Sequence, residues 1–297
     1  MNDFDLHMHS NYSKDGQFDV KDLIQIAKEK GLKTIALTDH DCMRGVEEIV
    51  ELGKKEGIRV IPGIECSTKL GKYDVHLLGY GIDIHDSYLN SLYDEKGEKM
   101  LGAFHIRCEK LRNKYGVEIN EKQVIQDSHG KNPWFLLMTQ IFNNPKYQSI
   151  PDFKDYIPGG KRSDPAPVNF FWDRCGYGSD LYVESDNPDF FESIKKIHEA
   201  GGIAIIAHPF TTFYKNDDLL QKAIENGLDG IEAYSNYHDS NQCAYYEKFA
   251  KSHHLLITCG SDFHGEKKPS IEMGSYGLKK DGSQFIQKFL KKIDSEN

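Results

Sequence analysis

The chain has 297 residues, 38% hydrophobic and 28% charged, which is enough apolar material for one large core or two smaller ones and excludes a disordered or fibrous protein. A net charge of −9 argues against a general binder of nucleic acid or anionic membranes, since those carry a basic excess. No run reaches the ~18 apolar residues of a membrane span. MNDFDLHMHS holds no basic or apolar leader, and six cysteines without CxxC spacing suit reduced thiols, so a cytoplasmic protein is expected.

In chain order, FDLHMH reads as a strand. Asp19 then caps a helix whose Val20, Leu23, Ile24 and Ala27 share one face, with Gly31 as its stop. Strand KTIALT, helix GVEEIVELGKKEG, strand RVIPGIE and strand DVHLLGYGI follow. A long polar helix runs from about Leu89 to Tyr115. After residue 188 the alternation resumes: helix PDFFESIKKIHEAG, strand GIAIIAHP, helix DLLQKAIENG, strand DGIEAYS, helix QCAYYEKFAKSHH, strand LLITCG and helix SQFIQKFLKKI. About seven strands, alternating with amphipathic helices, predict parallel βαβ units in an α/β barrel of the (β/α)8 type. Between the halves, prolines and aromatics such as WFLL and FFW break the rhythm. Residues 101–180 are therefore read as an inserted cap domain, flanked by barrel segments 1–100 and 181–297.

The ligand-type residues fall where such a barrel places its chemistry. His7 and His9 end the first strand on one face, His40 ends the second and Glu65 the third. His76 lies in YDVHLLGY, His208 follows GIAIIA, and Asp262 and His264 follow LLITCG. A lone histidine near a strand end is usually just a hydrogen-bonded group. Six of thirteen histidines at such positions, beside carboxylates and without matching cations, point to metal ions instead. The turn ending in Gly16 brings Asp15 back toward the HMH pair as an oxygen ligand. Asp5, Asp39 and Asp41 adjoin these residues and are candidates to accept the second N–H of the imidazoles.

The set DLHMHS, LTDHD, GIE, a downstream histidine, AHP and GSDFH resembles the polymerase-and-histidinol-phosphatase (PHP) superfamily, in the family's order and over the first and last hundred residues. The resemblance implies a distorted (β/α)7 TIM-like barrel holding three divalent metal ions, Mn, Zn or Fe. Carried over by motif, His7, His9, Glu65 and Asp262 hold one ion; Glu65, His76 and His208 a second; Asp15, His40 and His264 a third. Many relatives place the aspartate five residues after the second histidine, whereas Asp15 is six after His9. The implied activity is hydrolysis of a small organic phosphate, either a nucleotide or sugar monoester or a cyclic diester, by hydroxide that the metals activate. Asp262, His264 and His238 are the catalytic candidates, with His238 contacting substrate phosphate or protonating the leaving group. Lys161 and Arg162 are candidates to grip phosphate. No membrane and no stable nucleic-acid partner are expected. An amidohydrolase-type C–N hydrolase and a non-catalytic metal-binding scaffold are the alternatives.

Overall fold

The computed structural model describes residues 2–13, 15–209 and 212–296. The elements in chain order are β1 (Phe4–Met8), α1 (Val20–Glu29), β2 (Thr34–Leu37), α2 (Val46–Glu56), β3 (Arg59–Leu70), β4 (Tyr73–Tyr80), α3 (Ser87–Tyr115), α4 (Glu121–Asp127), α5 (Pro133–Asn143) and α6 (Ala166–Arg174). They continue with α7 (Phe190–Glu199), β5 (Ile203–Ile206), α8 (Asp217–Glu225), β6 (Gly230–Tyr234), α9 (Ser240–Ser252), β7 (Leu256–Cys259) and α10 (Ser283–Glu296). Two compact units result, residues 1–94 with 187–297, and residues 95–186.

In the first unit the seven strands lie side by side in sequence order. The segment after β7 returns to β1: His9 N–H donates to Phe263 O at 2.9 Å, and Asp262 N–H to His7 O at 2.9 Å. The result is a nearly closed α/β barrel, as expected from the sequence. Helix starts follow local capping chemistry. Asp19 accepts the Lys21 and Asp22 amides at 2.9 and 3.0 Å, and Asp239 with Gln242 forms a reciprocal capping box on α9. Val20, Leu23, Ile24 and Ala27 of α1 are all buried, so that face packs on the sheet.

The barrel departs from the expected parallel βαβ pattern in one place. β3 and β4 pair antiparallel, from Gly63 opposite Tyr80 to Leu70 opposite Tyr73, and β4 pairs antiparallel with β5. Only Gly71 and Lys72 separate β3 from β4. A parallel return needs a crossover of a dozen residues or more, whereas a hairpin needs two, and Gly71 takes the φ of +59° such a tight turn favours. Glu65 and His76 consequently lie inside long strands rather than at strand ends.

The second unit has its own core. Phe170 is its centre, with Tyr156, Phe142, Phe153 and Trp134 ring centroids at 4.9, 5.3, 5.7 and 6.4 Å. All of them are buried, together with Phe104, Leu111 and Met138. The aromatic runs that interrupt the sequence pattern are thus packed rather than strung along loops.

Candidate metal centre

Glu65 is the hub of the first unit's polar cluster. Its Oε2 lies 3.2 Å from His7 Nε2, 3.1 Å from His9 Nε2 and 3.2 Å from His40 Nδ1. Its Oε1 lies 2.9 Å from His76 Nδ1 and 3.0 Å from His208 Nε2. The hairpin makes this possible, because it folds His76 back beside the strand that carries Glu65. Asp262 Oδ1 stands 3.3 Å from His7 Nε2 and 3.0 Å from His9 Nε2, and Asp15 Oδ2 stands 3.5 Å from His40 Nε2 and 3.3 Å from His264 Nε2. All nine residues singled out as ligands are therefore brought together, Asp15 included despite its longer spacing.

Their donor atoms form three overlapping groups: His7, His9, Glu65 and Asp262; His9, Asp15, His40 and His264; and His40, Glu65 and His76. Whether they fit metal ions is decided by what else those atoms do. His7 Nε2, His9 Nε2, His40 Nδ1, Glu65 Oε2, His76 Nδ1, Asp262 Oδ1 and His264 Nε2 are all buried and make no hydrogen bond. Leaving even one such group unmade is costly. Seven in these overlapping groups, all nitrogen or carboxylate oxygen, match the donor set of divalent cations.

The electrostatics agree. Burial pushes the Asp15, Glu65 and Asp262 carboxyls up, but the surrounding imidazoles, and Lys268 at Asp262, more than offset it, leaving all three well below the usual range. Burial drives His40 and His264 down, toward neutral imidazole. Burial acts the same way on His7 and His9, yet Glu232, Glu65 and Asp262 raise the first, and Asp262 and Glu65 bring the second up to about 9. A cluster with ionised acids and histidines competing for protons is one in which cations can take the protons' place.

Of the aspartates beside the candidate ligands, Asp5 and Asp39 do not act as anticipated. Asp5 accepts the Ser261, His7 and Gly274 amides, Asp39 the Ser10 amide and hydroxyl, and Asp41 the Ser67 amide. They hold the loops that carry the ligands. Asp41, His208 and Asp262 have φ of +50°, +24° and +58°, conformations non-glycine residues adopt only when their surroundings enforce them. The carboxylate that does meet an imidazole N–H is Glu232, 3.0 Å from His7 Nδ1. Sequence reasoning passed over it, although a single acid in the apolar strand GIEAY was a signal. Lys268 and Tyr237, both bonded to Asp262 Oδ2, were missed as well.

His238 donates from Nδ1 to Ala233 O at 3.1 Å, which leaves Nε2 buried and without a hydrogen bond. Lys161 and Arg162 belong to the second unit. There Arg162 grips Asp173 with two nitrogens, at 2.6 and 3.1 Å, while Lys161 is exposed.

Comparison with known proteins adds the family. The model of the PHP domain matches residues 5–153, half of the chain. The chain belongs to the PHP domain family. A 5'-3' exoribonuclease of Haemophilus influenzae is 29% identical over 88% of this chain and 89% of its own length. A 3',5'-nucleoside bisphosphate phosphatase of Chromobacterium violaceum is 28% identical over 92% and 91%, and a phosphoribosyl 1,2-cyclic phosphate 1,2-diphosphodiesterase of Eggerthella lenta 27% over 88% and 94%. Among solved structures, an amidohydrolase of Chromobacterium violaceum with bound sulfate and no metal superposes with a TM-score of 0.71, 24% identity, and coverage of 99% of this PHP chain and 96% of that one. That likeness speaks for the fold. Family and donor set together support metal-dependent phosphoester hydrolysis by this PHP protein. Among the described residues no helix is long and apolar enough to cross a membrane.

Proposed function

We propose that the cluster holds three divalent ions, Mn, Zn or Fe, and that its substrates are small phosphate esters: a nucleotide or sugar phosphate monoester, a nucleoside bisphosphate, or a cyclic phosphodiester. The observation that carries this reading is the gathering of seven buried donor atoms without hydrogen bonds, Glu65 Oε2 among them, in three overlapping groups. Bound there, divalent ions supply positive charge for phosphate oxygens and lower the pKa of coordinated water.

The chain's own groups do the rest. Asp15, Glu65 and Asp262 stay ionised and hold the cations. Lys268 pins the outer oxygen of Asp262 and adds positive charge at the site, which lets an acidic protein receive an anion. His238 contributes a lone pair at Nε2, because a carbonyl only accepts and Nδ1 must carry the hydrogen. Burial, the largest influence, lowers its pKa below the ordinary imidazole value. It therefore accepts a hydrogen bond from a substrate hydroxyl or a water, rather than protonating a leaving group. Substrate selection is assigned to the second unit, residues 95–186, through Lys161 and Arg162. All six cysteines are buried, as reduced thiols of a cytoplasmic protein would be.

The test is phosphate release by the metal-loaded protein from monophosphates, 3',5'-bisphosphates, 1,2-cyclic phosphates and short 5'-phosphorylated RNA, with ammonia release from amide and amine substrates measured in parallel. Release from the small esters is the expected result. Ammonia alone, or full metal content with no turnover, would overturn the reading.

A further inference from the structure

Glu232 is fully buried on β6, and each of its oxygens takes one N–H. Oε1 accepts from His7 Nδ1 at 3.0 Å, and Oε2 accepts from the His208 backbone amide at 2.8 Å. The His7 and His208 rings lie nearly parallel, with centroids 5.6 Å apart and planes at 14°. The neighbouring chain leaves room for nothing larger than glycine. A Cβ at Gly260 would stand 2.5 Å from Glu232 Oε1 and 2.2 Å from His7 Cβ. His208 keeps its φ of +24° next to the bond that holds its amide.

A carboxylate can only accept, so His7 carries a hydrogen on Nδ1, and when the imidazole is neutral, as a metal ligand must be, its lone pair is on Nε2. That Nε2 points at Glu65 Oε2 and Asp262 Oδ1, 3.2 and 3.3 Å away, without a hydrogen bond to either. We infer that Glu232 is a positioning residue of the metal centre: it locks His7 in the form whose Nε2 can bind a cation, and it fixes the backbone that carries His208. This inference rests on the metal-centre reading above. One carboxylate thereby serves histidines from opposite sides of the barrel sequence, which ties the shape of one metal position to that of the next.

The chemistry of glutamine makes the inference sharp. An amide offers one acceptor and one donor where Glu232 offers two acceptors. The His208 amide cannot give up its hydrogen, so it claims the glutamine carbonyl. The glutamine NH2 then faces His7 Nδ1 and forces the hydrogen onto Nε2, where it blocks a cation. Aspartate keeps both acceptors on a shorter arm.

The experiment loads wild type, Glu232→Gln and Glu232→Asp with zinc, then measures metal content and affinity by chelator competition. Circular dichroism and thermal unfolding in excess chelator report the fold. Wild type must retain metal; if it does not, the metal-centre reading itself has failed, and this is visible before any variant is compared. With that reading intact, Glu232→Gln is expected to fold and to bind zinc about 10–100-fold more weakly, with Glu232→Asp in between. A folded Glu232→Gln with wild-type affinity overturns the inference. Should that variant not fold, nitrogen-15 histidine NMR of the zinc-loaded wild type decides. His7, assigned by loss of its signals in His7→Asn, is expected with its hydrogen on Nδ1, and a hydrogen on Nε2 overturns the inference.

Discussion

Lys268 Nζ lies 2.7 Å from Asp262 Oδ2, so the carboxylate is gripped on one oxygen by a cation while the other, Oδ1, faces His7 and His9. The Tyr237 hydroxyl donates to the same Oδ2, and Lys268 also reaches that hydroxyl at 2.7 Å. Two donors on one oxygen leave Asp262 a single oxygen to offer the cluster. Lys268→Met removes the charge that helps keep Asp262 ionised and frees its orientation. Metal affinity is expected to fall about tenfold or more, and Lys268→Arg, which keeps the charge, to lose less. Metal content after dialysis against graded chelator checks both.

His238 makes a different prediction, because it touches none of the nine clustered residues through its hydrogen bonds. Asparagine can still donate to Ala233 O in place of Nδ1, but nothing then stands where Nε2 was. His238→Asn should leave metal content unchanged and lower kcat by about 10²-fold or more, the scale of a lost proton-handling or substrate-orienting group. Since burial holds this imidazole below its ordinary pKa, its neutral form persists to lower pH. The acid limb of kcat that vanishes in the variant should therefore lie below pH ~6.5. A variant with wild-type kcat removes His238 from the reaction.

How much of this was legible beforehand depended on whether a residue's role follows from its type and place in the chain. His7, His9, His40, His208 and His264 were readable, because strand ends of a βα barrel meet on one rim. Glu65 was singled out as a candidate ligand, but its central position was not. That depends on β3 running on to Leu70 and folding back, and RVIPGIECSTKL carries no stop after Glu65 to be misread or obeyed. Glu232 was invisible for a related reason. Its bond to His7 joins residues 225 positions apart, and only the register of β6 beside β7, with Gly260 between, creates it. Asp5 and Asp39 were misassigned because adjacency in sequence to a ligand does not say whether a carboxylate turns to a ring or to a loop amide.

Removing the metals should do two separable things. Exhaustive chelation is expected to abolish phosphate release, and Mn, Zn or Fe added back singly should restore it to different extents. It should also lower stability, since cations bind the folded cluster and not the unfolded chain. At a free metal concentration of 100 Kd the stabilisation is about 2.7 kcal/mol per site. Thermal unfolding across a metal titration reads this directly. A Tm indifferent to metal would mean that the histidines and acids around Glu65 hold no cation.

Outside that cluster, Glu247 predicts how the barrel responds to acid. Its Oε1 and Oε2 both lie 2.6 Å from Lys280 Nζ, Lys251 Nζ is 2.5 Å from Oε1, and the Tyr234 hydroxyl donates to Oε2. The bond to Lys280 ties α9 to the segment leading into α10. Burial pushes the carboxyl up, yet Lys251, Lys280 and Tyr234 more than offset this and bring it down to about 2 from an ordinary 4.5. The folded-state pKa is depressed, so the stabilisation is present above pH ~4.5 and is lost as pH falls toward ~2. Glu247→Gln should cost about 1–2 kcal/mol at pH 6, a figure kept small because water screens both lysines. The Tm gap between variant and wild type should close between pH 4.5 and 2, and narrow at pH 6 in 1 M salt. A gap that stays constant down to pH 2 would trace the loss to packing of the side chain, not to its charge.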